Sequence, residues 1–129
     1  MESLLRTILI DWLASDPVLS TTLNEIAEEA PSRASLPWLG IAASASTDWS
    51  TKTRRGREVR VALELQTRGD AAEETSAIAS QVEERIESLP RQHPGLALAS
   101  TTFLRARAEQ RPRNIRAVLI EYRFRILEA

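Results

Sequence analysis

The most informative pattern in this chain runs from residue 57 to residue 68, Arg57-Glu-Val-Arg-Val-Ala-Leu-Glu-Leu-Gln-Thr-Arg68. Its polar and apolar side chains alternate, and successive side chains of a β-strand point to opposite faces of a sheet. The pattern therefore predicts a strand over residues 57–68 with one buried face and one face that is wet or lies in an interface. The buried face is expected to hold Val59, Val61, Leu63, Leu65 and Thr67. The other face is expected to hold Glu58, Arg60, Glu64, Gln66 and Arg68.

Three further strands are predicted on either side of this one. Residues 38–46 are small and apolar and precede it, whereas 96–108 and 114–127 follow, joined by a turn around residues 110–113. The last strand alternates in the same way, which again indicates one buried face and one polar face. Its buried face is expected to hold Val118, Ile120, Tyr122, Phe124 and Ile126, opposite Glu121, Arg123 and Arg125.

The N-terminal region begins with a predicted helix. Apolar residues recur at steps of three and four over residues 2–14, as in an amphipathic helix. Asp16-Pro17 ends this helix, because the residue before a proline is pushed out of the helical region. Residues 18–30 are expected to form a short helical turn ending near Ala30, and the prolines at 31 and 37 bound a loop.

A second long helix is predicted between the two strand pairs. Asp70 can accept from the free backbone N–H groups of its first turn, and Glu73 stands at the reciprocal capping-box position. Pro90 stops it. Its apolar stripe holds Ile78, Ala79, Val82, Ile86 and Leu89.

The predicted fold is therefore α+β, with element order α-β-β-α-β-β. Two hairpins separated by a helix favour a mostly antiparallel four-stranded sheet with helices on one face. The length of 129 residues fits one domain, residues 1–129. No apolar run approaches the length of a membrane span, and no cleavage site follows the N-terminus, so a cytosolic product without a targeting peptide is expected.

Charge is sorted along the chain, although the net charge is only −1. Residues 1–30 and 70–88 each carry a net charge of −5, whereas 49–68 carry +4 and 91–128 carry +5. This sorting favours a protein with acidic and basic faces that pack against copies or neighbours. Solvated faces of alternating sign are the alternative.

Few residues are suited to catalysis or metal binding. The chain has no cysteine and one histidine, His93, which cannot build a zinc site of the usual kinds. Glu83, Glu84 and Glu87 lie on the predicted wet side of a helix, where solvation explains them. No base is near a serine in the sequence. We therefore expect a non-enzymatic protein that needs no cofactor and no metal.

Residues 49–57, Trp-Ser-Thr-Lys-Thr-Arg-Arg-Gly-Arg, form the unusual segment. An aromatic residue, four bases and Gly56 are placed where the first hairpin must turn. A solvated tip, an arm that contacts another protein and a direct nucleic-acid contact all remain open. We expect the last two strands to lack the exposed aromatic residues of a base-stacking platform, which argues against the nucleic-acid contact.

This region also carries a family resemblance. Pro37-Trp-Leu-Gly-Ile41, Asp48-Trp-Ser-Thr-Lys-Thr53 and Gly56-Arg-Glu58, which runs into the alternating strand, resemble the tail-completion family that includes gene transfer agent tail terminators. In that family an apolar strand leads through a W-x-T-K loop to G-x-E and an alternating strand. The resemblance extends from Leu4 to Ile126.

The resemblance implies a subunit of a homo-hexameric ring at the head–tail junction of a virion made in the bacterial cytoplasm. Such a ring caps the tail tube, stops its polymerisation and meets the head connector or stopper protein, while DNA passes through the channel as cargo and no membrane is involved. A head-completion or stopper protein and a small nucleic-acid-binding module using the basic hairpin 49–57 are the alternatives. The residues expected to contact a subunit or the tube are Trp49, Lys52, Thr53, Arg54, Arg55, Arg57, Arg60, Glu64, Arg123 and Arg125.

Overall fold

The computed structural model describes residues 1–31, 35–69 and 72–129. Its helices are α1 (Glu2–Ala14), α2 (Pro17–Thr22) and α3 (Ala72–Glu87). Its strands are β1 (Glu25–Ala27), β2 (Trp38–Asp48), β3 (Gly56–Arg68), β4 (Gln92–His93), β5 (Leu96–Arg111) and β6 (Ile115–Glu128). The two long helices and the four long strands predicted from the sequence are thus present, with ends that differ by a few residues.

The strands form one sheet in the order β1-β2-β3-β6-β5-β4. The β2–β3 and β5–β6 hairpins are joined through an antiparallel β3–β6 pair that runs from Gly56 opposite Leu127 to Arg68 opposite Ile115. β1 is parallel to β2, and β4 is antiparallel to β5. The predicted four-stranded sheet and its α-β-β-α-β-β order were therefore wrong in detail: the α+β fold has six strands in a mixed sheet. The two strands that were missed have only three and two residues, too few for a period to show.

The core lies between the helices and one face of the sheet. The alternation predicted for β3 and β6 is confirmed, since every apolar residue assigned to their buried faces is buried. These side chains form one cluster with those of the helices. The helices contribute Leu5, Leu9, Ile10 and Leu13 from α1, Leu19 from α2, and Ala79, Val82 and Ile86 from α3. The prediction that the helices cover a single face of the sheet therefore agrees with the core of the structure.

α1 and α3 are joined by an arginine–tryptophan contact at the edge of this core. The guanidinium of Arg85 lies 3.5 Å from the centre of the Trp12 ring, and its Nε donates to the Trp12 carbonyl oxygen at 2.8 Å. Nε1 of Trp12 donates in return to the Arg85 carbonyl oxygen, also at 2.8 Å. A planar guanidinium that stacks and donates at once fixes the crossing of the two helices.

The segment after α1 differs from its prediction. α2 ends at Thr22, and β1 follows where the sequence had predicted a helical turn that continued towards Ala30. Asp16 caps α2, because its carboxylate accepts from the Leu19 N–H at 3.0 Å. Thr21 and the residues beyond it have little helical periodicity, so pairing with β2 determines the conformation of this segment.

Two other predictions fall partly or wholly outside the described residues. The capping role of Asp70 lies wholly outside them. The loop between the prolines at 31 and 37 lies partly outside them, because its centre is not described. In the described part of the chain, no helix is long and apolar enough to cross a membrane.

Candidate functional site: the hairpin tip and the open face of the sheet

The tip of the β2–β3 hairpin (residues 49–55, the hairpin tip) is an ordered turn. The Thr51 N–H donates to the Arg54 carbonyl oxygen at 2.8 Å. Oγ1 of Thr51 accepts from the backbone N–H groups of Thr53 and Arg54, at 3.3 and 3.0 Å. These bonds join backbone groups within the turn, and the hairpin predicted from the sequence at this place is confirmed.

Arg54 of the hairpin tip and Arg57, two residues after the tip, bind to other parts of the chain. Arg54 donates from Nε and Nη2 to the Glu128 carbonyl oxygen at 3.0 and 2.8 Å, and the Glu128 N–H donates to the Arg55 carbonyl oxygen at 2.8 Å. Arg57 points to the helix side of the sheet, where its Nε lies 3.2 Å from a carboxylate oxygen of Glu2. Arg54 and Arg57 therefore anchor the tip to the C-terminal strand and to α1.

The remaining cations of the tip are free to contact a partner. The side chains of Lys52 and Arg55 are exposed, and neither makes an ion pair or hydrogen bond with another described residue. Arg60, on the neighbouring part of β3, is exposed in the same way. The structure thus separates the predicted basic cluster into anchoring arginines and available cations, a distinction that the sequence did not contain.

The face of the sheet turned away from the helices is covered by no described element, and we call it the open face. Strand register places on it the polar side chains of β3, β5 and β6. It has seven arginines and four glutamates, so it is basic in sum but carries both signs. Its charged residues are Glu58, Arg60, Glu64, Arg68, Arg105, Arg107, Glu109, Arg111, Glu121, Arg123 and Arg125.

Glu58 organises the end of the open face next to the hairpin tip. Its Oε1 accepts from Nε of Arg125 at 3.0 Å and lies 3.9 Å from Nε of Arg123. The Arg125 guanidinium is 5.5 Å from the centre of the Trp49 ring, while Arg123 reaches Oγ1 of Thr102 at 3.5 Å. Glu58 therefore holds Arg123 and Arg125 beside Trp49, and all three are predicted contact residues. The sequence had predicted only that Glu58 lies on the polar face of its strand.

Glu64 belongs to a second cluster at the other end of the open face. It accepts from Nη1 of Arg111 at 2.9 Å, and Arg111 also pairs with Glu109 at 3.1 Å. Hydrogen bonds to Glu109 and then to Glu64 raise the pKa of the Arg111 guanidinium. Between the clusters, Arg105 pairs with Glu121. Half-exposed pairs of this kind contribute little to stability, so their main effect is to fix side chains on the surface.

The acidic surface lies on the helix side of the molecule. All five acids of α3 are exposed or half-buried: Glu73, Glu74, Glu83, Glu84 and Glu87. Burial, followed by the nearby carboxylate of Glu87, raises the pKa of Glu83. Glu87 also accepts from the hydroxyl of Tyr122 at 2.6 Å. One molecule therefore presents a basic tip and an acidic helix, as the charge sorting had predicted.

The described residues contain no grouping of acids and histidine that could hold a metal ion. His93 lies in β4, where its Nε2 is 2.6 Å from the Pro90 carbonyl oxygen. Its ring is thus engaged by the chain itself in a local contact. The arrangement that remains on the surface is suited to binding: charges of both signs, held in place, on an uncovered sheet face and a rigid hairpin.

Residues 7–127 match the model of a protein family described as tail completion protein gp17. Among solved structures, a chain from the virion of a native gene transfer agent particle has the same fold, with a TM-score of 0.80 and 20% sequence identity. The similarity covers 97% of this chain and 95% of that chain. No curated protein matches the sequence.

Proposed function

This chain belongs to the tail completion protein gp17 family, and from that membership we propose that it is a ring-forming tail terminator. In this role six copies sit on the end of an assembled tail tube, stop its polymerisation and offer a surface to the head connector or stopper protein. The virion is assembled in the bacterial cytoplasm, the protein lies at the head–tail junction, and DNA passes through the channel as cargo. The membership in a tail-completion family is the observation that carries the proposal.

Two surfaces of opposite sign support the ring. Head-to-tail rings are built from two different patches that are complementary to each other. The hairpin tip offers Lys52 and Arg55, whereas α3 offers exposed glutamates on the other side of the core, among them Glu73 and Glu84. A subunit with both can attract one neighbour through its basic patch and another through its acidic patch.

The open face supports a place at subunit contacts or along the channel. Most of its arginines and glutamates form ion pairs with one another, so these side chains can face water or DNA without reorganising. A wall of mixed charge gives DNA no single strong binding site, which suits passage better than retention. The proposed role is structural and includes no reaction, and it agrees with the binding character of the surface.

A strain that lacks this protein tests the proposal. Without a terminator the tube has nothing to stop its growth, so electron microscopy of lysates is expected to show overlong tails without heads. Complementation with the native chain should restore normal length. Heads without any tubes, or tails of normal length, would show that the protein acts at another step, such as head completion.

Reversing the two free charges of the hairpin tip should prevent assembly and leave the fold intact. In the Lys52→Glu/Arg55→Glu variant, glutamates would face whichever acidic surface the tip contacts, and like charges placed across an interface cost several kcal/mol. We expect overlong tails in the complementation assay, together with a thermal unfolding midpoint close to that of the native chain.

Arg91 and Arg113 provide the matched control. Both are exposed, and neither side chain has an ion pair with a described residue, so Arg91→Glu/Arg113→Glu makes the same change in net charge elsewhere on the surface. This control should support tails of normal length. Normal tails from the tip variant as well would remove the hairpin tip from the proposed contact.

A further inference from the structure

The sheet has two long edges that no described strand covers. β1 pairs only with residues 38–40 of β2, which leaves the stretch from Ala42 to Asp48 bonded on one side. β4 pairs only with residues 96 and 97 of β5, so this strand is open from Ala99 to Arg111 on the corresponding side. An open edge presents backbone N–H and C=O groups that can pair with another strand.

The open edge of β2 has little of the usual protection apart from one register shift between Ile41 and Ala43. Proteins discourage edge pairing with charges, prolines or bulges along the exposed strand. Residues 42–48 read Ala-Ala-Ser-Ala-Ser-Thr-Asp, with small uncharged side chains up to the final residue. The side chains are exposed along most of this stretch. Beyond that register shift, the side chains of this strand carry no charge before Asp48, and among the described helices Arg6 of α1 reaches the edge, donating to Oγ of Ser44 at 3.2 Å.

The open edge of β5 carries an exposed aromatic ring. Phe103 is 43% exposed, so the expectation that the last two strands expose no aromatic residue was wrong at this position; its ring packs edge-on against Tyr122, with ring centres 5.5 Å apart. Ala106 and Ala108 follow it on the same side of the strand and are exposed as well. A large apolar side chain beside free backbone groups indicates a surface that another element covers.

We propose that these edges pair with each other between neighbouring copies, so that β2 of one subunit adds to β5 of the next. This inference rests on the ring of the proposed function, and it specifies the strands at the contact between neighbouring subunits, which we call the seam. In the sheet, β2, β3, β6 and β5 alternate in direction, so β2 and β5 run opposite ways. Two copies in the same orientation would then continue the antiparallel sheet across the seam.

The two edges also lie at the same level of the sheet, and their side chains are complementary in volume. Through the pairs that cross the sheet, Ser44 is level with Val61, Tyr122 and Phe103. The small side chains of β2 leave room for the Phe103 ring of the neighbour. A closed ring requires some stagger between its strands, and both open stretches are long enough to slide past one another by a few residues.

Engineered disulfides test this seam directly, because the native chain has no cysteine. Ala45→Cys on β2 is combined, one at a time, with Ser100→Cys, Thr102→Cys, Arg105→Cys or Arg107→Cys on the open-face side of β5. Directly opposed side chains of paired strands have Cβ atoms about 4.5–5.5 Å apart. Oxidation of purified tails should convert the monomer band to a ladder that ends at the hexamer, in one or two adjacent members of the set.

Two controls make the outcome specific. Ala77→Cys, on the exposed surface of α3, replaces Ala45→Cys in combination with each β5 cysteine and should give no ladder. Ala45→Cys alone should stay monomeric, since a dimer would mean that β2 pairs with β2.

The outcomes separate the seam from the proposed function. Tails of normal length that carry the protein but yield no ladder would overturn the seam and leave the terminator role standing. Absence of the native protein from tails would overturn both.

Discussion

Raising the pH above about 10 is expected to destabilise this protein steeply, and Tyr122→Phe is expected to abolish most of that effect. Burial, followed by the hydrogen bond to Glu87, raises the pKa of the Tyr122 hydroxyl far above its ordinary value. The unfolded chain releases this proton near pH 10, whereas the folded chain retains it. Stability therefore falls as the pH rises from the pKa of Tyr122 in the unfolded chain towards its pKa in the folded chain. Below the unfolded-state pKa, titration of this group does not affect stability.

The size of the effect follows from the proton balance. Each pH unit in this window costs about 1.4 kcal/mol, so two units above the unfolded-state pKa should remove roughly 2.7 kcal/mol. The sequence makes the result easy to assign, because it contains one tyrosine, one lysine and no cysteine. Arginine, the abundant base, remains charged throughout.

Urea unfolding of the native chain and of Tyr122→Phe at several pH values between 7 and 12 would measure this dependence. At pH 7 the variant should be less stable by about 1–2 kcal/mol, since it lacks the hydrogen bond from the tyrosine to Glu87. The two curves should then cross as the pH rises. Lys52→Met, a change at an exposed residue, is the control and should follow the native curve. A Tyr122→Phe variant that loses stability in parallel with the native chain would contradict the assignment.

The parts of the fold that were predictable are those in which side-chain periodicity is long. β3 and β6 alternate over more than ten residues each, so their faces and their burial followed from the sequence. β1 and β4 are too short to show a period, and their existence depends on backbone pairing with β2 and β5. The two hairpins pair through β3 and β6, and this tertiary pairing cannot be predicted from a local sequence pattern.

The candidate site was predictable as a set of residue types and not as a set of contacts. The basic hairpin tip and the polar faces were visible in the sequence. The sequence could not show that Arg54 binds the backbone at Glu128, or that Glu58 draws Arg123 and Arg125 together, because these partners are far apart along the chain. The open edges of the sheet could not be predicted for a similar reason, because the position of a strand at an edge depends on the tertiary order of the strands.

Gly56→Ala is expected to destabilise the protein by about 1–3 kcal/mol, against the usual preference for alanine over glycine inside a strand. A Cβ atom at this position would lie 2.5 Å from the Trp49 carbonyl oxygen, 2.9 Å from the Ile126 carbonyl oxygen and 2.8 Å from Cδ2 of Leu127. The sequence had suggested that Gly56 permits a tight turn. The structure gives another reason, since Gly56 begins β3 without a positive φ and is needed where three strands approach closely.

The double variant Gly56→Ala/Leu127→Ala distinguishes the sources of this strain. Two of the three close contacts involve backbone oxygens, which cannot move without displacing β2 or β6, and only the third involves a flexible side chain. Truncating Leu127 should therefore fail to restore the free energy of unfolding, as measured by urea denaturation, once the loss caused by Leu127→Ala alone is subtracted. Recovery in the double variant would place the strain in the side chain and not in the backbone. A Gly56→Ala variant as stable as the native chain would mean that the backbone at the base of the hairpin can move aside. The proposed contact could then not depend on a fixed geometry of the hairpin tip.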